Sequence, residues 1–298
     1  MQNNYFIGID GGGSKTRLRL EDAQGNLLAE SVSGPGNVRL SIEVTCASIY
    51  DALEQALVKA NLKSQKNIRL HIGMGLAGFE VQTAREEFLS AFHYSLCQTL
   101  EVHSDADIAC FGAHGGKPGA VIIVGTGVVG LKIKKQQKLQ VGGWGFPHGD
   151  EGGAAWIGLE TIRTLLQFCD GRAKTTPLLN YLKKKLGNKT EVINQWACYA
   201  NATQYAEIAR DVFYYAQKRD AFAINILKCA AKHIEKIFLA LEKTEKTNKN
   251  NLPYALVGGV VPFVIGFLRP SLVRRLVTPQ GDSCDGALLM IKQQFKQC

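Results

Sequence analysis

One pattern of residues occurs twice in this chain, and it restricts the possible folds more than any other feature. In each copy an apolar strand ends at a glycine-rich corner, a second strand follows, and a polar turn leads to a third strand. The copies occupy residues 5–32 and 119–143. The alternation of apolar and polar residues after each corner indicates strands and not helices. Two copies of one plan predict two related α/β domains, each of which begins with a three-stranded meander.

The best candidate for a domain boundary is the glycine- and proline-rich stretch at residues 115–119. We therefore expect an N-terminal domain of residues 1–117 and a C-terminal domain of residues 118–285. The second domain contains a long segment with helical periodicity, residues 153–243, which predicts a helical insertion.

The length of 298 residues and the hydrophobic content of 46% suit two globular domains with large cores, so stability requires no disulfides or structural metal. The eight cysteines are scattered and form no C-x-x-C motif. Because no leader segment is visible either, we expect reduced thiols and a cytoplasmic location. The longest apolar run, residues 254–268, is too short to span a bilayer, and we expect no membrane partner.

The net charge of +9 is concentrated in three lysine-rich runs at residues 132–138, 183–189 and 243–249. Aromatic residues do not alternate with these lysines, as they do in proteins that bind single-stranded nucleic acids. We interpret the runs as solvated surface and expect no nucleic-acid partner. The positive excess still favours anionic small molecules such as nucleotides.

The first corner, "DGGGSKT" at residues 10–16, fits neither the P-loop spacing nor the dinucleotide-binding G-x-G-x-x-G pattern. Its glycines allow backbone N–H groups to approach an anion, although an ordinary hairpin turn is the alternative. A second corner at residues 125–127 and a glycine pair at residues 258–259 follow other strands. Ligands of open α/β sheets bind beyond the strand ends, so the three sites together favour anion binding.

In this order the motifs resemble those of a known superfamily. "DGGGSKT", "VGTG" (residues 124–127) and "LVGGV" (residues 256–260) resemble the two phosphate motifs and the adenosine motif of the acetate kinase/sugar kinase/Hsc70/actin superfamily. "GLAG", "SDAD", "GGWGFPHGDEGGAAWIG" (residues 142–158) and "GALL" (residues 286–289) resemble the BadF/BadG/BcrA/BcrD ATPase family, in particular its N-acetylglucosamine kinase branch. The resemblance implies two ribonuclease-H-like domains of the actin/hexokinase type, with mixed five-stranded sheets around a central cleft. It also implies that the last helix, residues 286–298, packs back on the first domain.

The resemblance implies that Asp105 is the catalytic base, which accepts the proton of the sugar 6-hydroxyl during phosphoryl transfer. The alternative is that Asp105 caps the following helix, and spacing alone does not exclude Asp107 as the base. Asp10 is the implied Mg²⁺ residue, because hard cations prefer carboxylate oxygens. A turn aspartate that bonds its own backbone is the alternative there.

Three segments are implied to bind ATP. The alternative for Lys15 is a solvated side chain without a role in binding. The alternative for Thr126 is that threonine occurs there only because it favours strands. The implied ATP-binding residues are Gly12, Gly13, Ser14, Lys15, Thr16, Gly125, Thr126, Gly127, Gly258 and Gly259.

A second set of residues is implied to bind the sugar. Asp150 suits paired hydrogen bonds to ring hydroxyls, but it also suits the N-terminus of the helix that follows. Trp144 fits stacking on a sugar face or burial in the core. Ala77 departs from the serine of some N-acetylglucosamine kinases, which leaves the identity of the sugar open. The implied sugar-binding residues are Asn37, Gly78, Asp105, Trp144, Gly145 and Asp150.

These residues predict an ATP- and Mg²⁺-dependent kinase that phosphorylates the 6-hydroxyl of N-acetylglucosamine or a related hexosamine, with a homodimer as a possible assembly. An ATPase activator of a 2-hydroxyacyl-CoA dehydratase is the first alternative. It is disfavoured because the second phosphate loop carries no acid and no cluster cysteines are evident. A sugar sensor without catalysis is the second alternative, against which the retained Asp105 argues.

Overall fold

The structure is a computed structural model that describes residues 3–65, 67–134, 137–243 and 252–296. The chain divides into two compact units. The first comprises Met1–Val121, Ile133–Gln137 and Thr278–Cys298, and the second comprises Ile122–Lys132 and Lys138–Val277.

Strands and helices follow one another along the chain in the order that the sequence pattern indicates. The strands are β1 (Asn3–Gly11), β2 (Thr16–Asp22), β3 (Leu27–Ser33), β4 (Ile68–Leu76), β5 (Cys97–Ser104), β6 (Gly119–Val124), β7 (Val128–Lys134), β8 (Gln137–Gly142) and β9 (Tyr254–Val257). The helices are α1 (Ile42–Lys59), α2 (Gln82–Ala91), α3 (Asp105–His114), α4 (Ala154–Cys169), α5 (Pro177–Lys185), α6 (Thr190–Tyr199), α7 (Ala202–Gln217), α8 (Ala221–Lys243), α9 (Val261–Val264), α10 (Pro270–Val273) and α11 (Ser283–Phe295).

The sheet of the first unit has the strand order β3-β2-β1-β4-β5. The three meander strands pair antiparallel, and β1–β4 and β4–β5 pair parallel, so the predicted meander at the start of the chain is confirmed. The central strands β1 and β4 are covered on both faces, which explains their nearly continuous apolar runs.

Helices cover both faces of this sheet because successive side chains of a strand point to opposite sides. Ile7 and Ile9 of β1 join one buried cluster with α1, whereas Phe6 packs with Leu288 and Ile291 of α11. Each such fully buried side chain contributes about 1.5–3 kcal/mol. The last described helix therefore belongs to the core of the first unit.

The sheet of the second unit has the order β8-β7-β6-β9, which repeats the β3-β2-β1-β4 arrangement. The expectation of five strands here was wrong for the described residues. In the place of a fifth strand a single parallel bridge joins Leu276 to Tyr254, and Val277 N donates to Tyr254 O at 2.8 Å. Pro279 follows two residues later, and its missing N–H prevents the ladder from continuing.

The helices α4–α8 lie between β8 and β9 in the chain, where a helical insertion was expected. Their interior is apolar and includes Ile157 and Leu165 of α4 and Ile208 and Val212 of α7. Buried Asp220 accepts hydrogen bonds from Leu178 N and Ala223 N, both at 3.0 Å, and thereby joins the starts of α5 and α8. Within the described ranges, no helix is both long and apolar enough to cross a membrane.

Candidate active site

The first glycine corner is the tight turn between β1 and β2. Gly12 N donates to Lys15 O at 3.0 Å, and Gly36 N donates to Gly12 O at 2.8 Å. Gly13, Ser14 and Lys15 are exposed, so the turn presents backbone to solvent. Thr16 is fully buried, and its Oγ1 finds no hydrogen-bond partner among the described residues. An unpaired buried hydroxyl is costly, which fits a segment that receives a polar ligand.

Asp10 is the last charged residue of β1 and is half-buried. Its Oδ2 accepts hydrogen bonds from Arg17 Nη2 at 2.7 Å and from Arg17 Nε at 3.2 Å. Burial raises the pKa of the Asp10 carboxyl, and the Arg17 guanidinium opposes that shift. The side chain is thus engaged by a cation across the hairpin, and the turn-aspartate alternative does not apply.

Asp105 is the first residue of α3, directly after the end of β5. The cap of this helix is Ser104, whose Oγ accepts from Asp107 N at 3.1 Å, while Asp107 Oδ2 accepts from Ser104 N at 3.3 Å. The alternative in which Asp105 caps the helix is therefore wrong. Asp107 is occupied by the reciprocal capping interaction, which favours Asp105 as the carboxylate available for chemistry.

The Asp105 carboxyl binds its proton more tightly in this environment than a carboxyl does in water. Burial raises the pKa of the Asp105 carboxyl to about 7, and the negative charges of Glu80 and Asp10 act in the same direction. Its Oδ1 accepts one hydrogen bond, from Ala106 N at 2.8 Å. A carboxyl that titrates near neutrality suits proton transfer at physiological pH. Glu80 was not among the predicted residues, since nothing in its sequence neighbourhood marks it.

The predicted sugar residues of the first unit lie together. Asn37 forms a parallel bridge with Ala77, and Val38 N donates to Ala77 O at 3.0 Å, so the loop of Asn37 runs beside Gly78. The same segment reaches the first corner, because Ala77 N donates to Gly11 O at 2.8 Å. Asn37 Oδ1 accepts from Arg39 N at 3.1 Å, which is the hydrogen bond of an asparagine in a turn, so turn geometry is an alternative reason for asparagine at this position.

The second corner lies against the predicted sugar carboxylate of the same unit. A Cβ added to Gly127 would sit 2.3 Å from Asp150 Oδ2, so only glycine leaves room for this side chain. The helix α4 starts after Gly153, and no side chain caps it. Asp150 therefore makes no capping hydrogen bond to α4, although it lies three residues before the N-cap, where its charge still complements the helix dipole. Its carboxylate is directed to the second corner.

The segment before Asp150 carries the other predicted sugar residues. Trp144 is 71% exposed, so the alternative of a core tryptophan is wrong. Gly145 adopts a φ of 90° and its O accepts from Gly149 N at 2.8 Å. Phe146 packs on Tyr205 of α7, with ring centroids 5.2 Å apart. An anchored segment with one exposed indole is suited to stacking on a sugar ring.

The glycine pair after β9 lies against the end of β6. Gly258 has a φ of 111°, and a Cβ there would meet Val124 O at 2.3 Å. Val260 N donates to Val124 O at 3.1 Å. Because Val124 directly precedes Gly125, the structure brings two of the three predicted nucleotide segments together within the second unit.

A comparison with protein families agrees with this arrangement of motifs. The model of the BadF/BadG/BcrA/BcrD ATPase family matches residues 7–275. The chain belongs to the BadF/BadG/BcrA/BcrD ATPase family. The matched residues include both phosphate motifs, the adenosine motif and the segment at residues 142–158.

Two curated proteins and one solved structure show what this chain is similar to. It is 34% identical over 286 residues to glucosamine kinase GspK of Vibrio cholerae, an alignment that covers 96% of this chain and 95% of that protein. It is 26% identical to an N-acetylmuramic acid/N-acetylglucosamine kinase of Clostridium acetobutylicum, over 97% of this chain and 99% of that one. A solved structure from Chromobacterium violaceum, described as a candidate N-acetylglucosamine kinase, matches with a TM-score of 0.87 and 32% identity, covering 96% of this chain and 98% of that one.

Proposed function

We propose that this protein is an ATP-dependent kinase that transfers the γ-phosphate of ATP to the 6-hydroxyl of N-acetylglucosamine or a related hexosamine. The observation that carries the proposal is the position of Asp105. This carboxyl directly follows the end of β5, does not cap α3, and has its pKa raised to about 7. The similarity to kinases of glucosamine and of N-acetylated amino sugars supports the same reaction. We propose the cytoplasm, the compartment of ATP, as its location, and a homodimer as its assembly.

The reaction forms a bond between the sugar O6 and the γ-phosphorus and breaks the bond from that phosphorus to the β,γ-bridging oxygen. Asp105 accepts the O6 proton as the new bond forms, and ADP leaves. Such transfers depend mainly on positioning and charge neutralisation. The base accordingly contributes about 10²–10⁴-fold to the rate, and the remaining acceleration comes from the groups that hold both substrates.

Binding of the nucleotide is assigned to the three glycine segments. In this proposal the exposed backbone at residues 13–15, together with Gly12, faces the phosphates, and the buried Thr16 hydroxyl is available as a further polar group. Residues 125–127 are the second phosphate-binding segment in this proposal, and Gly258 and Gly259 are its adenosine-binding residues.

The donor set fits a Mg²⁺ ion that arrives with the nucleotide. Mg²⁺ is usually held by one or two carboxylates together with water and substrate phosphates. Asp10 supplies a half-buried carboxylate, and the described residues contain no group of three His, Cys, Asp or Glu side chains that could hold a resident metal. When bound, the ion supplies positive charge to the β- and γ-phosphates, and Asp10 is the residue that holds it.

We assign sugar recognition to two groups of residues. Asn37 and Gly78 contact the substituent at C2, and Asp150 accepts hydrogen bonds from ring hydroxyls. Trp144 and Gly145 cover one face of the ring. Because Ala77 offers no hydroxyl to an acetamido group, free glucosamine and its N-acetylated forms are both candidate substrates. The activator alternative is not favoured by the curated relatives, which are sugar kinases.

A coupled assay of ADP release with a panel of hexoses tests the proposed function. We expect ADP release that depends on added glucosamine or N-acetylglucosamine, with lower activity on glucose, and a product phosphorylated at O6. The product is checked by NMR of the purified sugar phosphate. ATP hydrolysis that is independent of every sugar would contradict the kinase assignment and favour the activator.

The raised pKa of Asp105 predicts a pH-dependent stability of the metal-free protein. A carboxyl of ordinary pKa near 4 in the unfolded chain binds fewer protons between about pH 4 and 7 than the folded protein does, so its contribution to stability falls as the pH rises through that range. We expect Asp105→Asn to raise the Tm at pH 8 by several degrees and by much less at pH 5. Thermal unfolding at both pH values measures this. An equal change at the two values would show that the pKa of Asp105 is not raised.

A further inference from the structure

An ion-pair network joins the candidate metal residue to the start of the last helix in the first unit. Arg17 and Arg19 alternate along β2, so both side chains point to the same face of the sheet. Arg17 Nη1 lies 3.4 Å from Asp282 Oδ2, and Arg19 Nη1 lies 3.3 Å from Asp282 Oδ1. Asp282 is the N-cap residue of α11, and Asp285 completes its capping box and also pairs with Arg19.

The two arginines differ in one respect. Asp10 and Arg17 are direct partners in the β1–β2 register, and the guanidinium of Arg17 donates two hydrogen bonds to Asp10 Oδ2. Arg19 pairs instead with Glu30, Asp282 and Asp285, and no hydrogen bond joins it to Asp10 in the part of the chain that the structure describes. Arg19 is therefore an internal control, with the same partner helix and no contact to the candidate metal residue.

The two hydrogen bonds from Arg17 fix one carboxylate oxygen of Asp10, and the other oxygen is left for a ligand. Both bonds from Arg17 end on Oδ2, so the carboxylate cannot rotate freely about its bond to Cβ. The guanidinium charge also opposes the effect of burial, which raises the pKa of the Asp10 carboxyl. Outer partners of this type orient metal ligands, and their loss usually costs about 10–100-fold in metal affinity.

We propose that Arg17 is the positioning residue of Asp10 and that Asp282 holds Arg17 in turn, so that the N-terminus of α11 helps to orient the Mg²⁺-binding carboxylate. The inference rests on the proposed function, because it assumes that Asp10 holds the Mg²⁺ of the nucleotide complex. The proposal adds two residues to the candidate site, Arg17 of β2 and Asp282 at the start of α11, which act through Asp10.

The test compares Arg17→Met with Arg19→Met. The first readout is calorimetric affinity for ADP with and without Mg²⁺, and the second is the Mg²⁺ concentration for half-maximal sugar phosphorylation. We expect Arg17→Met to weaken the Mg²⁺-dependent part of ADP binding and to raise the half-maximal Mg²⁺ concentration by about 10–100-fold. ADP binding without Mg²⁺ stays as in the wild type. Arg19→Met lowers the Tm and leaves both Mg²⁺ readouts unchanged.

Two milder variants keep the test decisive if Arg17→Met folds poorly. Arg17→Lys keeps the charge and loses the paired hydrogen bonds, and we expect an intermediate Mg²⁺ shift. Asp282→Asn keeps a capping oxygen and removes the charge that holds Arg17, and we expect a smaller shift of the same sign. Equal Mg²⁺ responses in the Arg17 and Arg19 variants would overturn the proposal, since they would indicate a purely structural role.

The calorimetric arm separates this inference from the proposed function. If no hexosamine is phosphorylated but ADP binding still depends on Mg²⁺ and on Arg17, the sugar assignment fails and the positioning role stands. If ADP binding by the wild type does not depend on Mg²⁺, the positioning role fails, whatever the sugar assay shows.

Discussion

Replacement of Asp105 by asparagine is expected to lower kcat for sugar phosphorylation by about 10²–10⁴-fold, the usual contribution of a general base. Asparagine has nearly the same shape, and its oxygen can keep the hydrogen bond from Ala106 N that Asp105 accepts at 2.8 Å. It cannot accept the proton of the sugar hydroxyl. The KM for the sugar should change little, because the amide can still hydrogen-bond to O6. Coupled ADP release with the preferred hexosamine measures both constants.

Asp107→Asn is the matched control for this prediction. It makes the same change two residues later, at a carboxylate that accepts from Ser104 N in the capping box of α3. Asparagine retains an acceptor oxygen there, so we expect a modest fall in Tm and little change in kcat. The opposite result, with a large loss of kcat in the Asp107 variant and little in the Asp105 variant, would transfer the catalytic role to Asp107.

A methyl group at residue 127 is expected to reduce kcat/KM for the sugar by about 100-fold, because a displacement of about 1 Å in a substrate-holding group has effects of that size. In Gly127→Ala the new Cβ would lie 2.3 Å from Asp150 Oδ2, far inside van der Waals contact, so the carboxylate must move. The φ of Gly127 is not in the left-handed region, and alanine is compatible with the backbone there. The loss in kcat/KM for the sugar should therefore come from the displaced Asp150, whereas a loss of ATP affinity would come from the corner itself.

Gly266→Ala provides the control for this second variant. Gly266 lies in the same unit, and a Cβ there has no atom within 4 Å. We expect wild-type kinetics and a Tm close to that of the wild type for this variant. Steady-state kinetics in both substrates distinguish the cause in the Gly127 variant. If the variant kept its sugar KM and lost only affinity for ATP, Asp150 would have no role in sugar binding.

Much of the fold was predictable because it depends on local patterns. Strand alternation and glycine corners repeat in both halves of the sequence, and the structure confirms a meander at each place. The prediction of a fifth strand in the second unit was wrong for the residues that the structure describes, because the partner of Tyr254 is decided by tertiary contacts and by Pro279. No local signal reports how far a ladder of hydrogen bonds continues.

Contacts within one hairpin of the candidate site were predictable from the sequence, whereas contacts between distant segments were not. The Asp10–Arg17 pair follows from hairpin register and was within reach of the sequence, because residues opposite one another across a tight turn are neighbours. The contact of Asp150 with Gly127 joins two segments through the packing of the second unit, and the proximity of Glu80 to Asp105 depends on the loop after β4. Neither contact has a signature in the spacing of residues.

The position of α11 in the core of the first unit has a consequence for biosynthesis. Phe6 is synthesised early, but it is buried in a cluster with Leu288 and Ile291, which are synthesised last. The part of this sheet face that α11 covers, around Phe6, therefore stays exposed while the second unit is synthesised, although domains usually fold in the order in which they emerge. The second unit, whose sequence ends at Val277, is made before the first has its full set of contacts. Because this apolar surface stays exposed until α11 is synthesised, we expect chaperones to bind the early part of the nascent chain.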